Sequence, residues 1–225
     1  VSTNSSLLIL AMLALIIPAT FAQTGNHTID TLVDLSRIAS IILLGLYALF
    51  LLFQLKTHSH LFVNSTHHED EEASLTMKQA IILLVTSTIL VGVMAEFLVG
   101  SIEHSADALG WPPLFIGVIL IPLFGNAAEH FTAVTVAGKN KMDLSIGIAI
   151  GSSTQVAVLI APITVLIGWL LNVNMSLQFG LFETIATFVA VLIANSICSD
   201  GRSNWLEGAM LLGTYAILAV SFWLA

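Results

Sequence analysis

The chain carries little charge and almost no cysteine. Only 9% of its 225 residues are charged, against about 25% in a typical soluble domain. The single cysteine, Cys198, excludes an internal disulfide and a multi-cysteine metal centre. A small packing residue near a helix end accounts for it. Lys and Arg total 6 against 14 Asp and Glu, so no nucleic-acid partner is expected. The lysines, Lys56, Lys78, Lys139 and Lys141, fall in loops or at helix ends. That argues against a retinal Schiff base, which needs a lysine inside a span. No nucleophile–base constellation and no phosphate-cradling loop are present, so a soluble enzyme has no support.

What the chain does have is apolar length. Hydrophobic residues make up 57% of it, in recurring runs of about 20 residues, each long enough to span a bilayer as a helix. The expected fold is an all-α, polytopic membrane helix bundle. Seven spans are predicted, at 7–21, 38–55, 77–100, 114–137, 144–171, 177–197 and 205–224. The first also has the length of a signal peptide, with small residues at Ala19 to Ala22, but residues 1–6 hold no Lys or Arg. The chain begins at Val1 and not Met, as a processed protein or a piece of a longer one would.

With alternating spans, Lys56, Lys78, Lys139, Lys141 and Arg202 fall on one side and only Arg37 on the other. Cytosolic loops are enriched in Lys and Arg. The N-terminus and the loops 56–76, 138–143 and 199–204 are therefore expected to be cytosolic. The 56–76 loop contains His58, His60, His67, His68 and the run Glu69, Asp70, Glu71, Glu72. Such a run is usually a solvated loop or short surface helix; the alternative is a calcium- or pH-sensitive regulatory element. The 101–113 link, with Glu103, His104 and Asp107, is expected near the interface.

Chemistry concentrates in two spans. In the fourth, Pro122-Leu123-Phe124-Gly125-Asn126-Ala127-Ala128-Glu129-His130 places a carboxylate at membrane depth. Such a charge is expensive and marks an ion or substrate pathway by default. Pro122 kinks a helix, and Gly125 tolerates unusual backbone angles. Broken helices in transporters expose carbonyls and dipole ends that hold ions. On a continuous helix Asn126 and Glu129 would share a face with Gly125. The plainer reading of Glu129 is an interhelical staple, and His130 reads as a packing or gating residue.

In the fifth span, Gly151-Ser152-Ser153-Thr154-Gln155 interrupts an apolar run, and Pro162 follows. Small residues and hydroxyls commonly serve close helix packing. That is the reading for Gly147, Gly151, Ser153 and Thr154. Ser152 and Gln155 share a face and are candidate oxygen ligands beside Glu129. The two spans are expected to form a hairpin, 114–171, with both polar clusters at one depth. Glu183 reads equally as a second buried carboxylate or an interhelical acceptor. Glu96 is expected to face water at the far-side mouth, and Asn195 is structural.

These residues resemble the cation/proton exchanger branch of the calcium/cation antiporter superfamily. The similarity lies in Gly125-Asn126-Ala127-Ala128-Glu129-His130, in Lys139-Asn140-Lys141, and in Gly151 to Gln155 with Pro162. Together they look like the second of that family's two α-repeats. The acidic loop and Glu207-Gly208-Ala209-Met210 also look like it. The resemblance implies an eleven-helix fold of two inverted five-helix halves after a first helix. By that comparison, residues 1–55 hold two helices ending the first half, 56–76 the linker, and 77–225 the complete second repeat.

The implied function is calcium/proton antiport by alternating access. Calcium takes six to eight oxygen ligands, more than Glu129, Asn126, Ser152 and Gln155 supply. The first α-repeat is absent, so a complementary N-terminal half, with a second carboxylate, is the implied partner. Like charges close together in a low-dielectric site favour protonation of one of them, so metal and protons would compete. The implied cargo is calcium, or manganese or another divalent cation, and protons; no resident cofactor is implied. The rivals are a non-transporting half-transporter or assembly subunit and, on helix count alone, a seven-helix receptor.

Overall fold

The structure, a computed structural model, describes residues 2–24, 28–58, 75–198 and 203–225. The described residues are overwhelmingly helical. The helices are α1 (Ser2–Gln23), α2 (Ile29–Leu52), α3 (Met77–Leu109), α4 (Pro113–Phe115), α5 (Ile121–Gly125), α6 (Ala127–Gly138), α7 (Met142–Gln155), α8 (Ala161–Leu170), α9 (Leu181–Cys198) and α10 (Trp205–Leu224). Among the described residues, six helices or continuous helical runs are long and apolar enough to cross a membrane, or seven if the broken pair Pro113–Gly125 and Ala127–Gly138 counts as one span. The expected number of spans holds.

Among the described residues, three turns widen to π geometry: π1 (Phe53–Thr57), π2 (Ile116–Leu120) and π3 (Val156–Ile160). π2 and π3 each end two residues before a proline, Pro122 or Pro162. Proline offers no N–H to the carbonyl four residues back. The wider turn keeps the helix running, with Ile121 N–H on Ile116 O and Ala161 N–H on Val156 O. Span 5 thus runs unbroken from Met142 to Leu170.

Three helices close on a residue in the left-handed region: Gly110 (φ 65), Asn140 (φ 61) and Asn172 (φ 57). The next residue in each case bonds five back. Trp111 N–H donates to Ala106 O at 3.0 Å, Lys141 to Val136 at 3.2 Å and Val173 to Gly168 at 2.8 Å. Glycine and asparagine are the residues that tolerate this closure.

The chain divides into two compact units. The first comprises Val1–Phe62 and Glu129–Tyr215. In it α1 packs on α2, α7 and α9, and α2 packs on α8. Its core is Ala11, Leu43, Tyr47 and Val158. Ser36 and Ser40 are wholly buried. Their hydroxyls donate to Leu32 O at 2.8 Å and Ser36 O at 2.7 Å, so neither proton is left unpaired in the core. An apolar hollow of about 320 Å³ lies between α1 and α2, lined by residues such as Leu10, Leu13, Ile17 and Ile42. With almost no polar lining it offers a cation nothing.

The second unit comprises Val63–Ala128 and Ala216–Ala225. α3 opens with a reciprocal capping box between Thr76 and Gln79 and packs on α5. Trp111 and Phe115 meet Trp223 edge-on, at 6.3 and 5.1 Å between ring centroids.

Several boundaries differ from expectation, three of them in what they do to polar or loop residues. α2 begins at Ile29, so Asp30, Asp34 and Arg37 are helical. α3 continues to Leu109, so most of the expected 101–113 link is helix. α9 begins at Leu181, leaving Leu177 in an extended segment. Charges and hydroxyls do not end these helices, because a helix satisfies its own backbone and continues through an interface.

Candidate cation site

The fourth span is interrupted at Asn126, not at Pro122. Its backbone (φ −99, ψ 19) has left the helical region. Both the backbone N–H and the side-chain Nδ2 of Asn126 donate to Pro122 O, each at 3.0 Å. The amide nitrogen is thus committed locally, and the side-chain oxygen remains as a group a cation could use. The expectation that Gly125, Asn126 and Glu129 share one face needed a continuous helix and does not survive the break.

α6 restarts at Ala127, which puts Glu129 in its first turn. Unpaired N–H groups and the positive dipole end favour an acidic side chain there. Glu129 is half-buried and His130 exposed. Glu129 has no hydrogen bond or ion pair among the described residues.

On α7 the hydroxyl protons are spent on the helix itself. Ser152 Oγ donates to Ala149 O at 3.2 Å, Ser153 Oγ to the same carbonyl at 2.9 Å and Thr154 Oγ1 to Ile150 O at 2.8 Å. Their oxygens keep lone pairs. Ser152 is half-buried, Ser153 and Gln155 are exposed, and Thr154 is buried as a packing residue. Ser152 and Gln155 do lie one turn apart on a continuous helix.

The turn at 139–141 joins α6 to α7, but α7 packs along α1. Among the described residues α6 has no broad packing on another helix. No hydrogen bond joins Glu129 to Ser152 or Gln155. No group of three or more His, Cys, Asp or Glu is poised to hold a metal among the described residues.

Glu183 lies in the first turn of α9, at the start of that span. Its carboxylate folds back against Gly180, where any added side chain would collide with it. Glu96 is exposed on α3. Glu69, Asp70, Glu71 and Glu72 lie outside the described residues.

Sequence reading overlooked a cluster at the start of α2 and the end of α8. Leu177 N–H donates to Ser36 Oγ at 3.0 Å. Arg37 pairs with Asp34 at 2.8 Å and stands 5.0 Å over the Trp169 ring. The signal available was the Ser36/Ser40 pair, four apart in an apolar run.

Repeated apolar spans, one of them broken just ahead of a carboxylate, define an integral multi-pass membrane protein. Residues 79–224 match the sodium/calcium exchanger protein family, and the chain belongs to that family. It is 44% identical to a Ca(2+)/H(+) antiporter of Aphanothece halophytica, over 97% of this chain and 63% of that protein. It is 37% identical to a vacuolar calcium ion transporter of Schizosaccharomyces pombe, over 98% of this chain and 55% of that one. The solved structure of native YfkE superposes with a TM-score of 0.79 at 37% identity, covering 100% of this chain and 63% of that one. The chain therefore spans less than two thirds of the length of these relatives.

Proposed function

We propose that this chain forms the second half of a calcium/proton antiporter, and that Glu129 takes calcium and protons in turn. The observation that carries the reading is the span broken at Asn126 with Glu129 in the first turn after the break. The similarity to proteins named as Ca(2+)/H(+) antiporters supports it. In this reading Asn126, Ser152 and Gln155 contribute neutral oxygens, with Gly125 giving the backbone room. His130, Ser153, Glu96 and Glu183 have at most gating or supporting roles.

One carboxylate and a few neutral oxygens are too little for dehydrated calcium. A complementary N-terminal half supplies a second carboxylate. The pair is then neutralised by one divalent cation, calcium or another such as manganese, or by protons, and each load crosses in turn. No resident cofactor and no enzymatic step is needed. The loops bearing Lys56, Lys78, Lys139 and Lys141 face the cytosol, as does the acidic run Glu69 to Glu72.

The test is proton-driven calcium uptake in vesicles by full-length protein carrying Glu129→Gln. Uptake should fall by about a hundredfold or more, the scale for losing a charged ligand, while Glu183→Gln stays within about threefold of the unchanged protein. Unchanged uptake in Glu129→Gln refutes the assignment. The second reading, an assembly subunit that transports nothing, is favoured by the lack, among the described residues, of any group of three or more His, Cys, Asp or Glu placed to hold a metal. Co-expressing this chain with a candidate N-terminal half and measuring calcium flux separates the two.

A further inference from the structure

The segment 172–180 between α8 and α9 has no helix or strand, yet it is seated closely. Its one buried side chain is Leu177, 3% exposed. The Leu177 N–H reaches 141 positions back in sequence to Ser36 Oγ at 3.0 Å. Ser36 hands its own proton to Leu32 O at 2.8 Å, so its oxygen is free to accept. Met175 is keyed against Gly168: a Cβ at that glycine would meet Met175 Cγ and Sδ at 2.8 Å. All these residues belong to the first unit.

We infer that segment 172–180 is a latch closed over the ends of α2 and α8, and that it releases during the transport cycle. One apolar peg, one hydrogen bond and one keyed glycine hold it. Helix-on-helix packing, by contrast, joins α2 to α8 along their length. A bond at a helix end near the membrane interface also has water to replace it when it opens. The latch connects two elements of interest. Upstream is span 5, with Ser152 and Gln155; downstream is α9, whose first turn carries Glu183 folded onto Gly180. Releasing Leu177 frees the start of α9 and moves that carboxylate. Alternating access requires such a barrier at each end of the ion path. What passes rests on the antiport reading; whether the latch opens does not.

Two measurements on full-length protein with Cys198→Ser test it. In the first, Leu177→Cys in lipid nanodiscs is reacted with a water-soluble maleimide. Labelling rates with and without calcium should differ about tenfold, the signature of a shifted open population. In the second, Gly168→Cys with Met175→Cys is oxidised, the close approach of the two positions suiting a disulfide. Calcium flux should stop on oxidation and return on reduction, with single-cysteine variants indifferent to oxidant. If the pair does not fold or cross-link, Ser36→Cys with Leu177→Cys takes its place. Labelling that ignores calcium, or full flux through cross-linked protein, overturns the latch. Protein that moves no calcium even when reduced overturns the antiport reading instead, and the labelling rate then decides the latch alone.

Discussion

Spans 4 and 5 begin from the same local problem and end differently. Each has a proline in the middle of an apolar helix, Pro122 or Pro162, and each prepares for it with a π turn ending two residues earlier. Span 5 then continues through Ile163-Thr164-Val165-Leu166 without interruption. Span 4 stops four residues after its proline, at Asn126. The proline therefore does not break either helix. The break comes from Gly125-Asn126, where a flexible residue is followed by an amide that bonds back to Pro122 O. The side-chain amide adds a second bond to a carbonyl that already accepts the Asn126 backbone N–H, and such side-chain-to-backbone bonding competes with continuing the helix. The broken span carries its acid just after the break, and the unbroken one has only neutral oxygens near its middle.

Changing one residue at a time should make each span behave like the other. The largest effect is expected from Asn126→Leu, which removes the back-bonding amide and lets α5 and α6 merge. Calcium flux by full-length protein should drop by about tenfold to a hundredfold, the range for losing a hydrogen bond and a polar ligand, and a structure of the variant should show one continuous helix. Gln155→Leu tests whether the unbroken span contributes a ligand; a loss of about tenfold in flux is expected, with thermal stability unchanged because the side chain is exposed. Pro122→Ala should leave the interruption at Asn126 in place and change flux by less than about threefold. A healed helix in that variant would return the cause to proline. The smallest effect is expected from Pro162→Ala. The recovered N–H bond and the lost buried ring atoms offset each other to within about 1 kcal/mol, so the melting temperature in detergent should barely move.

Much of the fold could be read from the residues because apolar length is a one-dimensional signal. α10 runs from Trp205 to Leu224 and α3 starts at Met77, both as the hydropathy places them. The differences fall at polar residues, which do not end these helices. Asp30, Asp34 and Arg37 sit inside α2, and Arg37 is stabilised there by Asp34 and the Trp169 ring. The break in span 4 was legible from Pro122, Gly125 and Asn126, but its position was not. That position depends on which side chain bonds back to the preceding turn, as Asn126 does to Pro122 O. Companions of Glu129 were the least legible part. Spacing along one helix says which side chains are neighbours on that helix, but not which other helix comes to face them. Leu177 illustrates the same limit. It read as the first residue of a span and is instead a peg pinned to a serine far back in the chain.

α3 has 33 residues, which at 1.5 Å per residue makes a rod about 50 Å long. The oily layer it crosses is about 30 Å deep. Such a rod must lean well away from upright or stand clear of the lipid tails at its ends. Longer lipid tails would draw it upright and shorter ones would lay it over, carrying with it α5, the helix that leads into the break at Asn126. The thickness of the surrounding membrane thereby becomes a mechanical input to this protein.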